Sequence, residues 1–195
     1  MFKISIATAA ALVCLTAGAA SAQTRLPDVL QNAAEARAGV QDGRDPKSPW
    51  VLEQYGDVSG KGCTLYHLTA KEMMIIVGPT DKGIFTEDRN ESALLLAGPD
   101  IPKPQGEKFQ AQRVTLKIDG FPVATIKGVL IADSPLGKGG TLMLYSKTLE
   151  EGLMVLRDQQ TFTVEIDGKP IYNTSWTGAT AQVTKLRACV AGNPT

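Results

Sequence analysis

His67 is the only histidine in the chain, so any imidazole chemistry must be built on it. A Ser-His-Asp triad needs a marked nucleophile, and no Gly-x-Ser-x-Gly supplies one. Cys63 lies on the same short run of sequence. In an extended strand, at ~3.3 Å per residue, its thiol and the imidazole are about 13 Å apart, too far for an ion pair. A zinc centre needs several Cys or His ligands, and no Asp-x-Asp-x-Asp calcium loop occurs. Gly137-Lys-Gly-Gly-Thr141 lacks the Gly-x4-Gly-Lys-Ser/Thr of a phosphate loop and is expected to be a hairpin connection. No Ser-x-x-Lys is present. The acidic pair Glu150-Glu151 is explained by helix capping, and Glu87-Asp88 by an exposed turn. These residue types predict no catalytic set, no metal and no cofactor. His67 is expected at a rim or partly buried. With Phe121, placed just after an Asp119-Gly120 turn, it is a candidate for surface recognition. Tyr55, Tyr66, Phe85, Tyr145, Tyr172 and Trp176 are expected mostly in the core, because aromatic rings bury large areas.

The compartment follows from the first residues. Lys3 is followed by an apolar run from Ile4 to Leu15 and then by Thr-Ala-Gly-Ala-Ala-Ser-Ala. A positive start, a short apolar segment and the small-x-small site Ala20-Ser21-Ala22 define a secretory signal peptide, residues 1–22, cleaved between Ala22 and Gln23. A membrane anchor needs roughly 20 apolar residues, and this run is shorter. Cys14 follows Val13 rather than the small residue of a lipobox and is read as part of the leader. Asn90-Glu-Ser92 fits a glycosylation sequon but carries no weight behind a leader of bacterial type. No later segment is apolar for long enough to span a bilayer.

Loss of the leader removes Lys3 and no acid, leaving 19 Lys+Arg against 20 Asp+Glu. A balanced and scattered charge argues against nucleic acid or anionic lipid as partner. Cys63 and Cys189 remain, and an even count in an exported chain predicts a disulfide between them. Closing so long a loop is worth roughly 5 kcal/mol in the chain-entropy picture. The competing reading is two free thiols, one of them catalytic.

These groups have to be positioned by one domain. Residues 23–49 form a preamble, expected to be flexible or loosely docked. It holds a short helical stretch with Val29, Ala33 and Ala36 on one side, then Gly- and Pro-rich linker. Residues 50–195 form a single β-rich domain. Short runs separated by Gly, Pro and Asp predict strands at Trp50–Tyr55, Cys63–Thr69, Glu72–Val77, Ser92–Leu96, Arg113–Ile118, Val123–Ile131, Thr141–Ser146 and Thr161–Ile166. The fold expected is mainly β, an antiparallel sandwich or barrel-like domain with two short helices, one of them C-terminal.

Two strands share a pattern: Thr115-Leu-Lys-Ile-Asp-Gly-Phe-Pro-Val and Thr163-Val-Glu-Ile-Asp-Gly-Lys-Pro-Ile. Asp-Gly between alternating apolar runs predicts a tight hairpin, because glycine tolerates the positive φ the turn requires. A proline two residues on opens each return strand, where its missing N–H does least harm. Thr148-Leu-Glu-Glu151 predicts a capped helix with Leu149, Leu153 and Leu156 on one face. A second helix begins near Gly178, with Ala179, Val183, Leu186 and Val190 on one face and Gly192 as its stop. Cys189 near that face would pin this helix to an early strand.

From Cys63 onward the order of features resembles the invasion-associated-locus-B type of bacterial periplasmic protein. The residues that carry the likeness are the early Cys-x-Leu strand, Leu116-Lys-Ile-Asp-Gly120, Leu149–Leu156, Thr161-Phe-Thr-Val-Glu-Ile166 and Ser175-Trp-Thr-Gly-Ala179. They cover about two thirds of the chain. The family commonly has more cysteines, closely spaced, and lacks this terminal helix. The resemblance implies a β-sandwich, a periplasmic or surface location and a noncatalytic role, sometimes linked to host-cell entry. The function expected is therefore a noncatalytic periplasmic or secreted binding module, whose partner is a protein or an envelope component. A periplasmic hydrolase or enzyme inhibitor with a site scattered along the sequence is the alternative. An envelope-structural protein is a third reading.

Overall fold

The computed structural model describes residues 29–35, 37–38, 49–57, 60–80 and 90–192. The leader, the proposed cleavage point, Ala36, Phe85 and Glu87-Asp88 lie outside these residues.

Nine strands form one antiparallel sheet. In chain order they are β1 (Trp50–Asp57), β2 (Gly60–Leu68), β3 (Met73–Val77), β4 (Ser92–Gly98), β5 (Phe109–Ile118), β6 (Phe121–Ile131), β7 (Gly140–Ser146), β8 (Gln160–Ile166) and β9 (Lys169–Trp176). Residues 29–35 and 37–38 are helical and are called α1. Helix α2 (Leu149–Leu153) precedes β8, and α3 (Ala179–Val190) follows β9. The sheet order is β1-β2-β3-β4-β7-β6-β5-β8-β9.

The central strands read as unbroken apolar runs, Met-Met-Ile-Ile-Val in β3 and Ser-Ala-Leu-Leu-Leu-Ala-Gly in β4, and every residue in them is buried. Both faces must therefore be covered, and successive side chains go to opposite cores. Met74, Ile76, Leu94 and Leu96 enter the larger core with Leu142, Val114, Leu116, Phe162 and Val164. Met73, Ile75, Val77 and Leu95 enter a second core with Tyr66, Leu68, Leu30 and Ala33. Helix α1 thus docks on the back of the sheet, and its contact includes Leu30, a side chain left out of the expected Val/Ala face.

The β5–β6 hairpin connects the two halves of the sheet. The end of β6, Val129–Ile131, pairs with β7, whereas the end of β5, Thr115–Ile118, pairs with β8. Side chains from both halves share the larger core, so the halves face each other in the manner of a sandwich. The sheet does not close. Its edge strands, β1 and β9, are not paired with each other.

Both repeated motifs fold as hairpins with the same turn. Asp119 and Gly120 have φ of 51° and 83°, and Asp167 and Gly168 have 50° and 76°. Each turn is followed by the same register shift, which leaves Pro122 opposite Lys117 and Pro170 opposite Glu165. Strand β9, foreseen only as the return arm of this hairpin, is a full eight-residue strand.

The helices follow their sequence signals with two adjustments in α2. Thr148 accepts the Glu151 N–H at 3.2 Å, and the Glu151 carboxylate accepts the N–H of Lys147 at 3.0 Å rather than that of Thr148. Helix α2 ends at Leu153, so only Leu149 and Leu153 of the expected face lie within it. Ala179, Val183, Leu186 and Cys189 are the buried side of α3. The Cys63–Cys189 disulfide, with Cα atoms 6.2 Å apart, ties the end of α3 to β2.

Candidate recognition site at the open seam

An open cleft of about 700 Å³ lies where the β5–β6 turn, the entrance to β8 and the exit of β9 converge. Asp119 comes from the turn, Gln159 and Thr161 from the start of β8, and Ser175, Trp176 and Thr177 from the end of β9. The register explains this meeting, since Thr161 lies opposite Ser175 and Asp119 follows the last residue of β5.

The turn is anchored twice. The Asp119 N–H donates to the Thr161 carbonyl at 2.9 Å, and Asp119 Oδ1 accepts the Thr161 N–H at 2.8 Å. The hydroxyls of Thr161 and Ser175 share a hydrogen bond of 3.0 Å. Beyond this anchored turn stands Phe121, 74% exposed, with exposed Pro122 and Val123. The hairpin therefore presents a rigid apolar tip beside a polar cleft. A pre-ordered apolar group loses little entropy on binding, and exposed apolar clusters commonly mark interaction sites.

The expected position of His67 is corrected. It is 1% exposed and is no surface group. Its ring centroid lies 4.7 Å from that of Trp50 and 5.8 Å from that of Trp176. Trp50 precedes β2 in the sheet and Trp176 ends β9, so residues from opposite ends of the sheet enclose the imidazole. Burial lowers the His67 pKa to about 4, which leaves the ring neutral at pH 7. Among the described residues, Nδ1 has no hydrogen-bond partner. The carboxylate and hydroxyl that would make His67 a general base are therefore not assembled on that nitrogen. Phe121 and His67 are not brought into one surface, and only Phe121 is available to a partner.

Of the other aromatics, Tyr66, Tyr172 and Trp176 are buried as expected, whereas Tyr145 is half exposed. Tyr66 Oη donates to Glu53 at 2.8 Å, and Trp176 Nε1 donates to the Arg157 carbonyl at 2.9 Å. The Tyr172 and Thr174 hydroxyls are buried without a well-formed hydrogen bond. Leaving such a group unpaired costs about 1–3 kcal/mol.

No known protein family, curated protein or solved structure matches this chain. The site therefore has to be judged on its own chemistry. Among the described residues, the cleft lining combines hydroxyl, amide and carboxylate groups with Pro49 and Trp176 and holds no cationic side chain. Among the described residues, no group of three or more His, Cys, Asp or Glu side chains could hold a metal ion, and no helix is long and apolar enough to cross a membrane.

Sequence reasoning missed Pro49, Gln159 and Thr161 as parts of this cleft, and Trp50 as a wall of the His67 enclosure. The one available signal was that Trp50 and Trp176 are the chain's only two tryptophans. Nothing in their local sequence pairs them.

Proposed function

We propose that this chain is a noncatalytic interaction module of the bacterial periplasm or of the secreted fraction, released from its leader near Ala22/Gln23. It recognises a protein or an envelope component with the Phe121–Val123 tip and the adjoining cleft. The observation that carries the reading is the combination at Phe121: 74% exposure on a turn held by two hydrogen bonds to β8. A ring left 74% exposed contributes little to the stability of the fold, whereas in an interface it would bury its area with little ordering cost. The disulfide suits an oxidising compartment, and the resemblance to invasion-associated-locus-B-type proteins points to the same location and to a noncatalytic role.

The test is a photo-crosslinking residue placed at Phe121 and, as a control, at Met154, a residue 81% exposed in the turn after α2. The full precursor is expressed in its bacterium and the periplasmic fraction is irradiated. A discrete adduct from position 121 that is absent from position 154 is expected, on material whose mass begins at Gln23. Adducts of equal yield and identity at both positions, or none at 121, reject the tip as a recognition element. A product retaining Met1 rejects the location.

A further inference from the structure

Eight strand junctions in this sheet are made by backbone ladders, but the junction between its two ends is made by side chains. Trp50 Nε1, at the start of β1, donates to the Thr177 carbonyl just beyond β9 at 3.0 Å. The Asn173 N–H of β9 donates to Glu72 Oε1, from the β2–β3 loop, at 3.1 Å. The Trp50 and Trp176 rings meet edge to face at 6.0 Å. Side-chain closures of this kind open far more readily than a ladder at the centre of a sheet.

The inner lining of the same junction is poorly satisfied. Among the described residues, the buried side-chain polar atoms without a well-formed hydrogen bond are His67 Nδ1, Tyr172 Oη and Thr174 Oγ1, the last two lying against each other. All three belong to β2 or β9, the strands beside the junction. Buried polar side chains elsewhere, such as Ser92, Thr141 and Gln160, are hydrogen-bonded. The unmade bonds are thus concentrated where the ladder is missing.

We propose that the β1–β9 seam is an acid-operated latch, in which protonation of His67 between Trp50 and Trp176 parts the seam while the rest of the sheet stays paired. An imidazolium there would carry an Nδ1–H with no acceptor, in a site from which water is excluded. Attraction to the indole faces offsets part of that cost, but both rings are tilted to the imidazole, at 54° and 64°. Among the described residues, the groups that face the imidazole supply no counter-charge. Trp50 from β1 and Met74 from β3 are its register neighbours, and Trp176 meets it from β9. The buried side of α3 is Ala179, Val183, Leu186 and the bridged Cys189. The charged side chains of the flanking segments are Glu72, held to Asn173, its neighbours Lys71 and Asp100, and Arg157 and Asp158, all but Glu72 exposed.

The two titrating groups act with opposite sign, and His67, with the larger shift, sets the direction. The His67 pKa falls from 6.5 to about 4 through burial, so the closed seam favours the neutral ring. Closure is fully supported above pH 6.5 and loses support as pH falls toward 4. Glu72 is shifted upward, first by burial, so the closed seam favours its protonated form and this group offsets part of the His67 effect as pH falls. Trp176 and Thr177 line the recognition cleft, so parting the seam also reshapes that cleft.

Both tryptophans of the chain sit at the seam, and each indole N–H is hydrogen-bonded there or beside it. Hydrogen exchange at these two sites, followed by NMR on the disulfide-bonded chain, therefore reports seam opening directly. After correction for the intrinsic pH dependence of exchange, indole protection is expected to fall at least tenfold between pH 6.5 and pH 4. The amides of Leu94–Leu96 in β4 should keep theirs. His67→Phe should abolish the fall, and His67→Gln, uncharged at every pH, serves the same purpose if the phenylalanine variant does not fold. An equal fall in these variants, no fall in the wild type, or parallel loss at the β4 amides would overturn the latch.

Discussion

The two Asp-Gly hairpins begin from nearly the same sequence and end in different surroundings. Their turns match residue for residue, down to the left-handed aspartates and the register shift beside each proline. Yet Phe121 and Val123 stand 74% and 48% exposed, whereas Ile171, the counterpart of Val123, is 6% exposed. Asp119 is bound to β8 through its side chain and backbone. The hairpins lie side by side through β5 and β8, and their equivalent positions Lys117 and Glu165 form a 2.6 Å ion pair. Local sequence decides the turn, and the neighbours decide whether the return strand becomes core or display.

Several substitutions would break or sharpen that contrast. The largest effect should be common to both hairpins. Removing the Cys63–Cys189 bridge, which spans 126 residues, should cost roughly 5 kcal/mol by freeing the unfolded chain. Cys63→Ser and Cys189→Ser should lower the melting temperature alike, with the double variant no worse, as calorimetry would show. Additive losses would mean that the thiols are not bonded to each other.

The next effect should separate the hairpins. Ile171→Ala empties a buried site and should cost about 3 kcal/mol, while Val123→Ala should cost under about 1 kcal/mol. Urea denaturation of the two variants measures the difference, and equal losses would contradict the assigned environments. The turns themselves should respond equally. Gly120→Ala and Gly168→Ala each force a side chain into a positive φ with nothing within 4 Å to add a clash, for about 1–2 kcal/mol apiece. A marked inequality would show that the turns are not equivalent. The smallest effect should be the link between the hairpins. A double-mutant cycle on Lys117→Ala and Glu165→Ala should return a coupling of about 1 kcal/mol, reduced by salt, because both groups retain some exposure.

The parts of the fold visible in the sequence are those set by near neighbours. The apolar runs of β3 and β4, the Asp-Gly turns, the Thr148 cap and the Gly178 and Gly192 limits of α3 all rest on backbone preferences or on the period of a few residues. Strand β9 was harder to see because Lys169-Pro-Ile-Tyr-Asn-Thr-Ser-Trp176 begins with proline and mixes polar residues into its length. Its alternation emerges as the buried set Ile171, Tyr172, Thr174 and Trp176. At the site, Phe121 was legible because a tip position follows from a turn. His67 was not: its position depends on Trp50 and Trp176, brought together only when the sheet curls back on itself.

The sequence alone determined an antiparallel β domain, the two matched turns, the helix limits and the pairing of two cysteines, since each depends on local conformational preference or on a count. Tertiary structure decided that β1 and β9 meet without a ladder, that the histidine is enclosed by both tryptophans, and that one hairpin shows the apolar side chain its twin conceals. Burial arises from contacts between segments far apart in the chain, and no short stretch of residues carries that information.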